Sequence, residues 1–328
     1  MSRPAPGRTA HGAAPRPLAA SGGRRGSLRR AMSAAVVAVL GVAGCTAPEP
    51  DPKPVDPPWT SVWRDDFTGP AGARLSGQWR HDLGTCYPGC PAPRWGTGEI
   101  ETMTDDPANV SLDGAGHLAI TPRRVDGQWT SGRVETERAD FQPPAGGVLR
   151  VEAALRLPDV SAADGAGYWP AFWMLGAPFR DGHTDWPGAG EIDVMESVNG
   201  RGTVVGAMHC GHLPDGPCRE ARGGLGSLER ACGDCGRAFH VYAVELDEST
   251  SPAQVRWYLD GALFHRVTAA EVGEPAWSRA TGHGFFVILN VAVGGAFPAA
   301  LGGGPNAATA PGRSMLVDYV AVSARRPT

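Results

Sequence analysis

Several things are scarce or missing in these 328 residues, and each absence removes a class of protein. Lysine occurs once, at Lys53, so arginine supplies the rest of the basic charge. No stretch sustains a 3.6-residue apolar period with caps, which argues against a helical architecture. The apolar run over residues 31–44 is too short to span a bilayer. There is no G-x-S-x-G elbow, H-E-x-x-H helix, Walker loop or dinucleotide fingerprint, so the chemistries that need them lack their residues. From Trp59 onward no second linker and no fixed-period repeat breaks the chain.

Residues 1–45 read as an N-terminal extension and signal peptide rather than as fold. Residues 1–23 are rich in Pro, Ala, Gly and Arg with no acid, as in a disordered lead or a start codon placed too early. Arg24, Arg25, Arg29 and Arg30 form a basic region ahead of the apolar run. That run ends in Val42-Ala43-Gly44-Cys45, which resembles a bacterial lipobox, with Cys45 as the lipid-bearing residue. An ordinary secretory peptide cleaved nearby is the alternative, and the Arg pairs weakly match a twin-arginine signal. Export follows, to the outer face of the cell membrane or beyond it. Residues 46–58 are a Pro-rich tether, and one domain is expected over 59–328. Without residues 1–45, which hold seven Arg, 23 basic residues face 34 acidic ones, a balance of −11. That balance disfavours nucleic acid and suits a neutral substrate. A monomer is expected, touching a membrane only through the lipid.

Seven cysteines leave six once Cys45 is set aside: Cys86, Cys90, Cys210, Cys218, Cys232 and Cys235. Six allow fifteen pairings. The simplest are local, 86–90, 210–218 and 232–235. A zinc site at Cys232-x-x-Cys235 is the alternative, disfavoured in an oxidising compartment.

With 46 Gly, 30 Pro and 42 % apolar residues, the chain suits many strands and turns around a sizeable core. Residues 148–157 and 241–247 alternate. Residues 255–259 and 262–264 flank Asp260-Gly261, a hairpin signal for a type I′ turn. Residues 284–293 suit a strand buried on both faces, and 315–322 a closing strand. The expectation is an all-β sandwich or barrel.

Three carboxylates, Glu191, Asp193 and Glu196, crowd a strand-like run. Like charges this close repel, and burying them costs desolvation. Alternation puts Glu191 and Asp193 on one face and would send Glu196 to the other. One extra residue in a bulge, expected at Met195, returns Glu196 to the Glu191 side. The two backbones are then about 13 Å apart at roughly 3.3 Å per residue. Side chains leaning together close this to about 5–5.5 Å, the spacing of a retaining glycosidase. Three solvated surface acids are the plain alternative. Upstream, Trp169 and Trp173 share a face if 168–175 is a strand, and indoles stack on sugar rings; core packing is the competing reading of each.

In sum of motifs the chain resembles family 16 glycoside hydrolases, in their laminarinase-like, endo-β-1,3-glucanase branch. The motifs are W-R-D-D-F (63–67), G-E-I-E-T-M-T-D-D-P-A-N-V (98–110), Y-W-P-A-F-W-M-L (168–175), W-P-G-A-G-E-I-D-V-M-E (186–196), F-H-V-Y-A-V-E-L-D (239–247), W-Y-L-D-G (257–261), I-L-N-V-A-V-G-G (288–295) and V-D-Y-V (317–320). The resemblance implies a concanavalin-like jelly roll of two curved antiparallel sheets with an open cleft for a β-glucan. It implies Glu191 as nucleophile, Glu196 as acid/base and Asp193 as their assistant. Trp169, Trp173 and Trp186 would line the sugar site, with His209, Asn290 and Glu99 as further substrate-binding candidates. The bulged spacing favours β-1,3 over mixed-linkage glucan. No cofactor is required for the chemistry. Relatives often carry a structural calcium, for which Asp66 and Asp318 are the candidates. Gly98-Glu99-Ile100-Glu101-Thr102 departs from the family's Asn-x-Glu-x-Gln-Tyr, so hydroxyl contacts on that side differ. A lectin-like binder without turnover, or a transglycosylase on the same glucan, are the rival readings.

Overall fold

The computed structural model describes residues 57–327. The signal peptide, the lipid-attachment candidate Cys45 and nearly all of the Pro-rich tether lie outside the described residues. In chain order the strands are β1 (Thr60–Asp65), β2 (Trp79–His81), β3 (Thr102–Met103), β4 (Val110–Leu112), β5 (Leu118–Ile120), β6 (Arg123–Val125), β7 (Gln128–Ser131), β8 (Arg133–Thr136) and β9 (Val148–Arg156). They continue with β10 (Tyr168–Gly176), β11 (Glu191–Glu196), β12 (Thr203–His209), β13 (Arg230–Ala231), β14 (His240–Asp247), β15 (Gln254–Leu259), β16 (Ala262–Thr268), β17 (Phe285–Val293) and β18 (Met315–Arg325).

Two antiparallel sheets face one another. One runs β16-β15-β14-β9-β18-β5-β4, with β1 paired to β18; the other runs β13-β12-β11-β10-β17-β8-β2. Inner-face side chains of both, among them Phe172, Met174, Ile192, Val194, Met195, Val151, Tyr242 and Trp257, form one core. This is the jelly-roll sandwich that the sequence implies. The Asp260-Gly261 hairpin is also as expected: both residues have positive φ, 50° and 75°, which a type I′ turn requires. Every residue of β17 is buried, in keeping with a strand covered on both sides. Three short helices, α1 (Ala269–Val272), α2 (Ala276–Thr281) and α3 (Ala296–Ala300), were not expected. The first carries a capping box, Thr268 with Glu271.

The cysteines pair locally as 86–90, 210–218 and 232–235. The zinc alternative at Cys232 and Cys235 fails for that reason: His240 stands nearby, but sulfurs bonded to each other offer no thiolate. Among the described residues no helix is long and apolar enough to cross a membrane.

Candidate active site

Strand β11 sets the site. Its register against β10 pairs Glu191 with Leu175, Asp193 with Trp173, Met195 with Phe172 and Glu196 with Ala171. Val194 is left without a partner. Against β12, Asp193 pairs with Ala207 and Glu196 with Val205, so Val194 and Met195 together face Gly206. The extra residue is therefore Val194 rather than Met195. Two consecutive residues turn inward, and Glu196 returns to the outer face with Glu191 and Asp193. Burying Ile192, Val194 and Met195 contributes about 1.5–3 kcal/mol each. That offsets the cost of crowding three acids on the opposite face.

The bulge is braced from the other sheet. The indole Nε1–H of Trp257, on β15, donates to the Asp193 carbonyl at 2.8 Å. Its ring lies against Gly206, where a Cβ would come within 2.4 Å. The residue opposite the bulge must therefore be glycine.

Trp169, Ala171 and Trp173 alternate onto the outer face of β10, whose pairing with β17 is unbroken. Ala171, between the two indoles in sequence, is the register partner of Glu196. Trp169 Nε1–H donates to Glu196 Oε1 at 2.8 Å. Trp173 Nε1–H donates to Asn290 Oδ1 at 2.7 Å. Trp186 Nε1–H donates to Glu191 Oε2 at 3.2 Å. His209, opposite Glu191 on β12, places Nε2 3.2 Å from Asp193 Oδ2 and 3.8 Å from Glu191 Oε1. Glu99 lies next to the Trp169 ring, with Gly295 wedged between them. Its Oε1 accepts from Thr97 at 2.7 Å, and its carboxyl shares a hydrogen bond with that of Glu101.

Electrostatics separates the two glutamates. Burial and the Asp193 charge push Glu191 up to about 8, while His209, Arg133 and the Trp186 N–H pull it down. Burial and Asp193 also hold Glu196 well above the carboxylate range, against the Trp169 N–H and His209. His209 is held well above the usual imidazole range by Asp193, Glu220 and Glu191, against its own burial. Glu191, Asp193 and His209 lie close enough to hold a metal. A doubly protonated imidazolium has no lone pair to offer one, however, and the cluster is an ion-pair network.

Three contributors escaped the sequence reading: Trp257, Glu220 and Arg133. Arg133 sits on β8 with its guanidinium 4.8 Å from the Trp173 ring centre and an ion pair to Asp82 at 3.0 Å. Trp257 belongs to a motif quoted above, but only the pairing of sheets shows what it touches. Glu101, in contrast, is buried behind the site and accepts from the Val293 N–H at 2.8 Å. Burial and Glu99 raise it well above the carboxylate range.

The calcium candidates lie just after β1 and on β18, two strands that pair. Asp66 is bound by Arg64 at 2.6 Å, and Asp318 stands exposed on β18. Neither belongs to a group of three or more ligand side chains among the described residues. A recess of about 610 Å³ lies elsewhere, among Leu157, Tyr168, Pro170, the Cys232–Cys235 turn and Arg313. It involves the inward-facing positions of β10 and none of the acidic run.

Known proteins match this arrangement. A family model described as "XgeA-like, catalytic GH16 domain" matches residues 153–218, the span that holds both tryptophans, the three acids and His209. The beta-glucanase of Rhodothermus marinus is 32 % identical over 289 residues, covering 85 % of this chain and 90 % of that protein. The solved endo-1,3-beta-glucanase of Streptomyces sioyaensis is 54 % identical with a TM-score of 0.80, over 84 % of this chain and 99 % of that one. The laminarinase catalytic domain of Thermotoga petrophila RKU-1 is 32 % identical with a TM-score of 0.65, over 81 % of this chain and 98 % of that one.

Proposed function

The chain belongs to glycoside hydrolase family 16, and from that premise we propose that it hydrolyses internal β-1,3-glucosidic bonds of a glucan such as laminarin, with retention at the anomeric carbon. One observation carries the assignment of roles. Glu191 and Glu196 share one face of a bulged strand, and His209, Arg133 and the Trp186 N–H all favour the ionised form of Glu191.

A glucan chain lies along the outer face, with one ring between Trp169 and Trp173. The Glu191 carboxylate attacks the anomeric carbon, and Glu196 gives its proton to the departing oxygen. A glycosyl ester on Glu191 results. Glu196, now ionised, takes a proton from water, and the hydroxide so formed displaces Glu191 from the same carbon. Two inversions leave the configuration unchanged. Asp193, held at its carbonyl by Trp257 and at its carboxylate by His209, stands between the two and raises both, which helps to keep a proton on Glu196.

Release of reducing ends from laminarin by wild type and by Glu191→Gln tests the reading. Turnover by wild type and none by the variant supports it. Binding without sugar release by both would make the protein a lectin. Products longer than the donor at high donor concentration would make it a transglycosylase. Export belongs to the same proposal, since a polysaccharide substrate lies outside the cell and three disulfides suit an oxidising compartment. Fractionation of the source cells with and without Cys45→Ala separates a lipid anchor from free secretion.

A further inference from the structure

We propose that Glu220 is a positioning residue for the nucleophile: it holds His209 as an imidazolium against Glu191 and Asp193, and the Cys210–Cys218 loop carries it there. The inference rests on Glu191 being the nucleophile.

Glu220 is an anomaly in its surroundings. Arg219, Ala221 and Arg222 are all exposed, yet the Glu220 side chain is 0 % exposed. A buried carboxylate without a partner is strongly destabilising. Neither neighbouring arginine is its partner. Its Oε1 accepts from the Cys210 N–H at 3.0 Å, and its Oε2 lies 2.6 Å from His209 Nδ1. The loop closed by Cys210–Cys218 begins at the residue after His209 and turns back so that Glu220 reaches that ring.

The ring itself has little freedom. Gly224 closes on it so tightly that a Cβ there would lie 2.8 Å from Cε1 and Nδ1. Trp186 leans on it at 5.7 Å between ring centres. One nitrogen faces Glu220, and the other faces Asp193 and Glu191. With carboxylates at both nitrogens, both carry protons, and the ring is a cation. The other charged or polar groups that bear on the pair are Arg133 and the Trp186 N–H at Glu191, and the Trp169 N–H at Glu196. His209 is the cation beside the nucleophile, and Glu220 is the one partner of His209 that takes no part in chemistry. Removing the Glu220 charge lets His209 lose its proton at a lower pH. Glu191 then faces Asp193 with less compensation and ionises only at higher pH.

The test is the pH profile of kcat/KM on laminari-oligosaccharides for wild type, Glu220→Gln, Glu220→Asp and Glu191→Gln, with thermal melts to confirm folding. For Glu220→Gln the acid limb is expected to move up by about one pH unit or more, since a unit charge at this range is worth that much or more when buried. On that limb kcat falls about tenfold per unit while KM holds within about threefold. Glu220→Asp, which keeps the charge, restores the limb toward wild type. An unmoved limb overturns the proposal. So does a downward shift, the result expected if Glu220 acts on Glu191 only by direct repulsion. Should Glu220→Gln fail to fold, imidazole NMR of the wild-type protein decides: His209 is predicted to stay charged at pH 7.5, and a neutral ring there overturns the proposal. Turnover by Glu191→Gln would sink the nucleophile assignment instead, so the two failures are distinct.

Discussion

Glu191 and Glu196 are the same side chain, five residues apart on one strand, in two different surroundings. The Glu191 end is flanked by cations and donors: His209 on β12, Arg133 on β8 and the Trp186 N–H. The Glu196 end has one indole donor, Trp169, and no arginine; Asp193 repels both glutamates and His209 eases both. Strand geometry gives both residues the same reach. Neighbours from other elements decide which one attacks and which one carries the proton. A shared motif is therefore insufficient to assign roles; the charges packed around it do that.

The contrast breaks most completely at the nucleophile. Glu191→Gln should lower sugar release from laminarin on the order of 10⁴-fold or more, read as reducing ends. Glu196→Gln should cost about 10²–10⁴-fold on laminarin. Unlike Glu191→Gln, it should recover most of its first-step rate on an aryl glycoside whose phenol departs unprotonated, read as a burst of phenol. Equal losses on both substrates would erase the distinction between the two ends. Trp257→Phe removes the donor to the Asp193 carbonyl and leaves that oxygen unpaired at the bulge. The expected stability loss is about 1–3 kcal/mol by denaturant titration, and kcat should fall about tenfold with KM little changed. The smallest effect is expected at Glu101. Its carboxyl is already driven toward the neutral form by burial and Glu99. Glu101→Gln should therefore keep activity within about threefold, since an amide copies a neutral carboxyl. A large loss there would mean that the second acidic pair takes part in the chemistry.

Much of this was legible in the chain itself. Alternation marks β9 and β14, and Asp260-Gly261 marks the hairpin of β15 and β16, because both signals are local and set by backbone geometry. The need for a bulge followed from counting residues between Glu191 and Glu196. Its position did not, because which residue loses its partner depends on β10 and β12 rather than on β11 alone. The capping box at Thr268 and Glu271 was legible and passed over, since a four-residue helix leaves no periodicity to notice. Trp257, Arg133 and Glu220 were not legible as contributors. Each reaches the site from another sheet, another strand or a disulfide loop, and no sequence interval encodes those contacts. Glu99 and Glu101 show the same limit: two residues apart, their buried carboxyls share a hydrogen bond that no sequence interval announces.

Proton NMR of the first product formed from a reduced laminari-oligosaccharide tests the central claim most directly. If Glu191 and Glu196 act from one face through a glycosyl ester, the new reducing end appears first as the β-anomer and mutarotates afterwards. An α-anomer at the earliest time points would show a single displacement by water, and the pairing of roles described here would be wrong.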